Sequence, residues 1–424
     1  MSNPEIKKLK NNATLLTLPS RETKIASVLI SFRVGSRYEP ADKIGISHFL
    51  EHLMFDGTEK RPTARDVARD ADQLGANFNA HTSDEYTTFY ISASSDHLEK
   101  AIELLGDMIS NSLLAEKEII KEKNVIIEEI KMGEDMPAEH VHDLYDEAIY
   151  HGDPLERNVI GSRQSVNSIS REDIVSFKNE FYVGENCYIG IGGNLERYPI
   201  EKIIRMLEEN INLPAGKKTE IFPAKIASKN KNILIKDTAQ TNILLGFLGP
   251  AYNSIDEFPL KILGIILGGN MSSRLFTKIR EELKLAYDIR TAVSLATSAG
   301  TLVTQAGVAS DKVDLALRSI INEYEKVKTD LEESEVDKAK RYMIGQAEIK
   351  LEGSFEQTYF SLRHYFTTGE IITLDQFVTK IKSVTFDQVK SVAEKYLLAD
   401  KIVVAAIGPD EVNEKIIKAL SARS

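Results

Sequence analysis

The chain has one cysteine, Cys187, in 424 residues. That excludes an internal disulfide and fits a reducing compartment. No apolar run reaches transmembrane length, which argues against a membrane partner. The opening stretch, MSNPEIKKLKNNATLL, has no uninterrupted apolar segment of the kind a secretory signal carries, so a cytoplasmic location is expected. Positive charge is in the minority: 53 Lys and Arg stand against 64 Asp and Glu, a formal charge of −11. A nucleic-acid backbone is thereby disfavoured as a partner, and the excess reads as a solvated acidic surface. Two glycine-bearing stretches also lack what a nucleotide loop needs. LGGNMSSRL contains no G-x-x-x-x-G-K-[ST], and GIGGNL misses the last glycine of a dinucleotide fingerprint, so both read as turns.

What is present is enough apolar residue, 42%, to build real cores, on a length that suggests two or three domains. The chain also repeats itself. Residues 165–194, SVNSISREDIVSFKNEFYVGENCYIGIGGN, resemble residues 380–409, KIKSVTFDQVKSVAEKYLLADKIVVAAIGP, at an offset of 215. Both read as a capped helix, a polar turn, an apolar strand and a glycine. The caps are Ser170 answered by Asp173 and Thr385 answered by Gln388. The same offset sets Phe32 of SVLISFRVGS on Phe247 of TNILLGFLGP. TTFYISAS and GTLVTQAGVA read as later strands, and LEKAIELLGDMI and VDLALRSIINEY have helical spacing. The predicted fold class is therefore α+β: two homologous domains, each a mostly antiparallel sheet with helices packed on one face. The expected boundaries are 1–215 and 231–424, joined by a lysine- and proline-rich linker at 216–230.

One helical segment, KIGISHFLEHLMF, carries three polar groups. His48, Glu51 and His52 stand at i, i+3 and i+4 and share a face. At the offset of 215 they fall on Leu263, Ile266 and Leu267. The fold does not need polar groups there, and burying three would cost several kcal/mol unless something satisfied them. A metal does so: histidines one turn apart can offer two imidazole nitrogens to one ion. Catalytic zinc takes three protein ligands and leaves a position for water, whose proton a neighbouring carboxylate can accept. H-x-x-E-H is the inverted form of the H-E-x-x-H zinc helix. Further on, AEKEIIKEKNVIIEEIKMGED reads as a long helix. Glu122 and Glu129 lie seven residues apart on one face, with Val125 and Ile126 between them, and that face is expected to be buried. Glu128, about 100° around from Glu129, reads as a solvated charge. His97, His140, His142, His151 and His364 have no partners at ligand-like spacing and read as structural or surface residues.

HFLEHLMFDGT, followed 77 residues after His52 by Glu129 within NVIIEEIKMGED, resembles the pitrilysin/insulinase family of zinc metallopeptidases. LGANFNAHTS, YHGDPLERNVIGS and GGNMSSRLFTKIREELKLAY extend the likeness over nearly the whole chain. The resemblance implies a Zn2+ cofactor bound by His48, His52 and Glu129, with Glu51 as general base and Glu122 orienting a ligand or the water. It implies that an edge strand carrying Asn79, Ala80 and Thr82 pairs with the substrate backbone. It implies that Arg280 and Tyr287 bind substrate carbonyls from the second, metal-free domain. The expected protein is a zinc-dependent endopeptidase acting on unfolded peptides or short protein segments. Its expected assembly is a homodimer, because the larger one-chain members of the family fuse two such units and take the arginine and tyrosine from the half that lacks the zinc. The alternative is a non-catalytic scaffold or partner subunit of the same fold.

Overall fold

The computed structural model describes residues 4–421. Six strands form the first sheet: β1 (Glu5–Lys8), β2 (Thr14–Pro19), β3 (Ile25–Phe32), β4 (Asn77–Thr82), β5 (Thr87–Ser94) and β6 (Cys187–Gly193). Their order is β1-β2-β6-β3-β5-β4, with β2 and β6 parallel and the other neighbours antiparallel. Five more form the second: β7 (Lys231–Ile235), β8 (Thr241–Gly249), β9 (Ala286–Leu295), β10 (Gly300–Val308) and β11 (Val403–Gly408). Their order, β7-β11-β8-β10-β9, again has one parallel pair, β7 with β11. The second sheet thus reproduces β2-β6-β3-β5-β4, as two copies of one α+β unit require. Both anticipated capping boxes are present, at Ser170/Asp173 and at Thr385/Gln388.

The central strands are buried on both faces. In β3, Val28, Ile30 and Phe32 join one core with Phe49, Ile102 and Leu105. Leu29 points the other way, into a cluster with Tyr188, Leu362 and Phe366. The second sheet does the same: Ile243, Leu245 and Phe247 face one core, and Leu244 faces Val141 and Tyr145. Most helices cover one face of each sheet, as the sequence suggests, and one more helix covers the opposite face. On the first sheet that helix is Ser354–Thr368, which comes from the second repeat. On the second it is Pro137–Ile149, from the first repeat. The chain accordingly divides into two compact units that exchange these segments. One unit contains residues 1–131, 157–220 and 348–374, and the other 132–156, 221–347 and 375–424. Among the described residues no helix is long and apolar enough to cross a membrane.

Candidate metal centre

The helix Ile46–Leu53 holds His48, Glu51 and His52, and every residue in it except His52 is buried. It starts at Gly45, whose φ of +96° and close approach to the Ile160 carbonyl leave no room for a Cβ. The first N–H groups of a helix need acceptors. Glu39 provides them: its carboxylate accepts from the Gly45 N–H at 2.7 Å and the Ser47 N–H at 2.8 Å. Burial pushes the Glu39 pKa up against the opposing effect of these bonds. Arg157 adds a second tie, donating to the Glu39 carbonyl oxygen at 2.7 Å.

His48 and His52 meet Nε2 to Nε2 at 3.2 Å. Glu129 Oε2, from the helix Glu116–Glu134, lies 3.8 Å from each of those nitrogens. The three ligand atoms fall within 4.8 Å of one another. A tetrahedral zinc with bonds of about 2.0–2.1 Å spaces its nitrogen ligands about 3.3 Å apart, so the donor set fits the ion. The imidazoles are also prepared for it. His48 stays neutral, its pKa pushed down to about 3 by burial and then by His52. His52 Nδ1 contacts Glu122 Oε2 at 3.2 Å, the carboxylate partner that fixes a ligand histidine with Nε2 free. Burial alone would lower the His52 pKa, but Glu122, Glu129 and Glu51 outweigh it and the net shift is upward. The same contact with His52 holds the Glu122 carboxyl below its ordinary value.

Glu51 is nine-tenths buried, and burial raises its pKa against the opposing pull of a hydrogen bond from the Thr82 hydroxyl. Thr82 lies on β4, the outermost strand of the first sheet. The base candidate and the strand edge are thus joined directly. Ala80 is buried on the same strand, while Asn79 is exposed and its side chain accepts from the Ala80 N–H at 2.8 Å. On the carboxylate helix, Glu122 and Ile126 are buried, but Val125 is 44% exposed and Glu129 itself is exposed, so the face expected to be buried is buried at only two of its four residues. Glu128 faces solvent and pairs with Lys131. Arg280 and Tyr287 belong to the other compact unit, where they meet each other: the guanidinium lies 5.4 Å from the tyrosine ring centre.

Two features escape a reading of the sequence. One is the Glu39 cap, which has no local signature. The other is His81, whose Nε2 is 2.9 Å from the Tyr359 hydroxyl, which in turn contacts the Tyr86 hydroxyl at 2.8 Å. Tyr359 sits on the exchanged helix, 278 residues from His81, so no spacing rule could have paired them.

The family described as Insulinase (Peptidase family M16) matches residues 15–163, and the Peptidase M16 inactive domain matches residues 168–343. A protein of Rickettsia felis named "Uncharacterized zinc protease" is 32% identical over 97% of this chain and 98% of its own length. The chain belongs to the insulinase family, peptidase family M16. Another M16 relative, the Bacillus subtilis "Uncharacterized zinc protease YmxG", is 30% identical over 94% of this chain and 97% of its own. The M16 fold recurs in a crystal structure of a protease from Helicobacter pylori. That structure covers 96% of this chain and 99% of its own at a TM-score of 0.87 and 22% identity.

Proposed function

We propose that the protein is a zinc-dependent endopeptidase that cleaves unfolded peptides or short protein segments. The observation that carries this reading is the convergence of His48, His52 and Glu129 on one point, with Glu51 one helical turn from His48 on the same face. His48, His52 and Glu129 would hold the metal. When bound, zinc supplies Lewis acidity that makes a water more acidic and polarises a carbonyl. Glu51 accepts the proton of the attacking water and returns it to the leaving amine. The Thr82 hydroxyl orients the carboxylate, and Glu122 holds the His52 ring. The free edge of β4 offers backbone N–H and C=O groups to an extended peptide, which favours chains that are not already folded. Asn79, Ala80 and Thr82 line that edge. Arg280 and Tyr287 contact substrate carbonyls from the partner subunit of a homodimer, with the tyrosine hydroxyl available to a developing oxyanion.

The test combines one variant with one assay. Glu51→Gln should retain zinc by elemental analysis and still bind peptides, yet lose hydrolysis of a random peptide library read by mass spectrometry. The parent protein should lose the same cleavages in a chelator. Near-parental cleavage by Glu51→Gln would remove it as the base, and chelator-resistant cleavage would remove the metallopeptidase reading.

A further inference from the structure

Arg280 is held differently from Arg274 and Lys278, the two cations that precede it. Arg274 commits its guanidinium to Asp330 and Glu335, and Lys278 pairs with Glu282 at 2.7 Å. Arg280 is half-buried, yet among the described residues its side chain makes no ion pair and no hydrogen bond. Its guanidinium lies instead over two aromatic rings, 4.7 Å from the centre of Phe276 and 5.4 Å from that of Tyr287. Both distances are within the range of cation–π attraction. Unlike a carboxylate partner, an aromatic ring offers a guanidinium no oxygen acceptor, so such a contact leaves its N–H donors available to a ligand.

The backbone here is unusual in a way that serves this contact. Phe276–Glu282 is a π-helix, a form that is rare and frequent at functional sites. Its wide turn is closed by the Leu283 N–H on the Lys278 carbonyl at 3.1 Å. The chain then passes through Lys284 at φ +52°, a left-handed conformation that costs a non-glycine residue energy, and enters β9 with Tyr287 two residues in. That path returns Tyr287 to the arginine while Phe276 meets it from four residues earlier. The two rings have different surroundings. Tyr287 is 82% exposed and has a hydroxyl to offer a ligand. Phe276 has no polar atom and packs against the core of its unit.

We propose that Phe276 is a positioning residue: its ring, anchored in the core, fixes the Arg280 guanidinium so that its free donors are presented to a carbonyl or carboxylate of a bound peptide. This rests on the reading of Arg280 as a substrate contact.

The experiment is a double-mutant cycle on the zinc-loaded protein with a peptide substrate. Phe276→Leu keeps the apolar packing and removes the π face, while Phe276→Tyr keeps both. We expect Phe276→Leu to lower kcat/KM about five- to ten-fold, mostly through KM, with zinc content and melting temperature close to parent. Phe276→Tyr should stay within about two-fold of parent, since its ring still provides the contact. In an Arg280→Ala background, where kcat/KM is already reduced, Phe276→Leu should change nothing further. An equal loss with and without Arg280 would show that the ring serves packing alone and would overturn the inference. Unchanged kcat/KM in Arg280→Ala by itself would instead overturn the reading of Arg280, and the inference with it.

Discussion

Glu128 and Glu129 are adjacent and chemically identical, and only their surroundings separate them. Glu129 lies 3.8 Å from two imidazole nitrogens, whereas Glu128 is two-thirds exposed beside Lys131. Glu129→Gln should therefore lower zinc content, measured by elemental analysis after dialysis, and Glu128→Gln should not; the reverse result would reassign the third ligand. Glu122→Gln should weaken zinc binding by about ten- to a hundred-fold in a chelator competition, the usual effect of removing the group behind a ligand histidine. Glu39 acts one step further back. Its carboxylate satisfies two backbone donors at the start of the motif helix, and an amide can accept only through one oxygen. Glu39→Gln should cost about 1–3 kcal/mol in denaturant unfolding, the range for a buried donor left unsatisfied. His48, Glu51 and His52 are legible as one cluster in sequence because helical spacing alone puts them on one face. Glu39 is not, since its partners lie six and eight residues away through an irregular turn.

The helix Ser354–Thr368 lies against β6, where Gly190 and Gly192 alternate on one face. A Cβ at Gly192 would stand 1.7 Å from the Thr358 hydroxyl, and one at Gly190 would stand 3.0 Å from the Thr358 methyl. These glycines let a helix approach the sheet, and the turn read into GIGGNL belongs to Gly193, at φ +105°. Gly192→Ala should destabilise the protein by about 1–3 kcal/mol through overpacking, and adding Thr358→Ala should recover part of that loss. Gly192→Ala with an unchanged melting temperature would mean that the helix can move aside freely. The same helix reaches β4 through Tyr359. Tyr359→Phe removes the hydroxyl between His81 and Tyr86 and should cost about 1 kcal/mol in unfolding.

Assembly is tested by complementation. Glu51→Gln, expected to be nearly inactive, and Arg280→Ala, expected to be strongly impaired, are mixed so that subunits exchange. If partners share sites, about one quarter of all sites in the mixture combine an intact base with an intact arginine, and activity recovers toward that level. No recovery, with exchange confirmed by a label, would assign each site to one chain. Sequence alone determined the α+β repeat, because similarity at one offset survives in both copies. It also determined the H-x-x-E-H face, because covalent geometry fixes which helical residues are neighbours. Only the tertiary structure decided that the repeats exchange a helix, that Thr82 meets Glu51 from 31 residues away and that Tyr359 meets His81 from 278. The physical reason is that such contacts are selected by packing among buried surfaces. Apolar patterning shows which face of a strand is buried, and in the central strands it marks both, but it does not name the helix that covers each one.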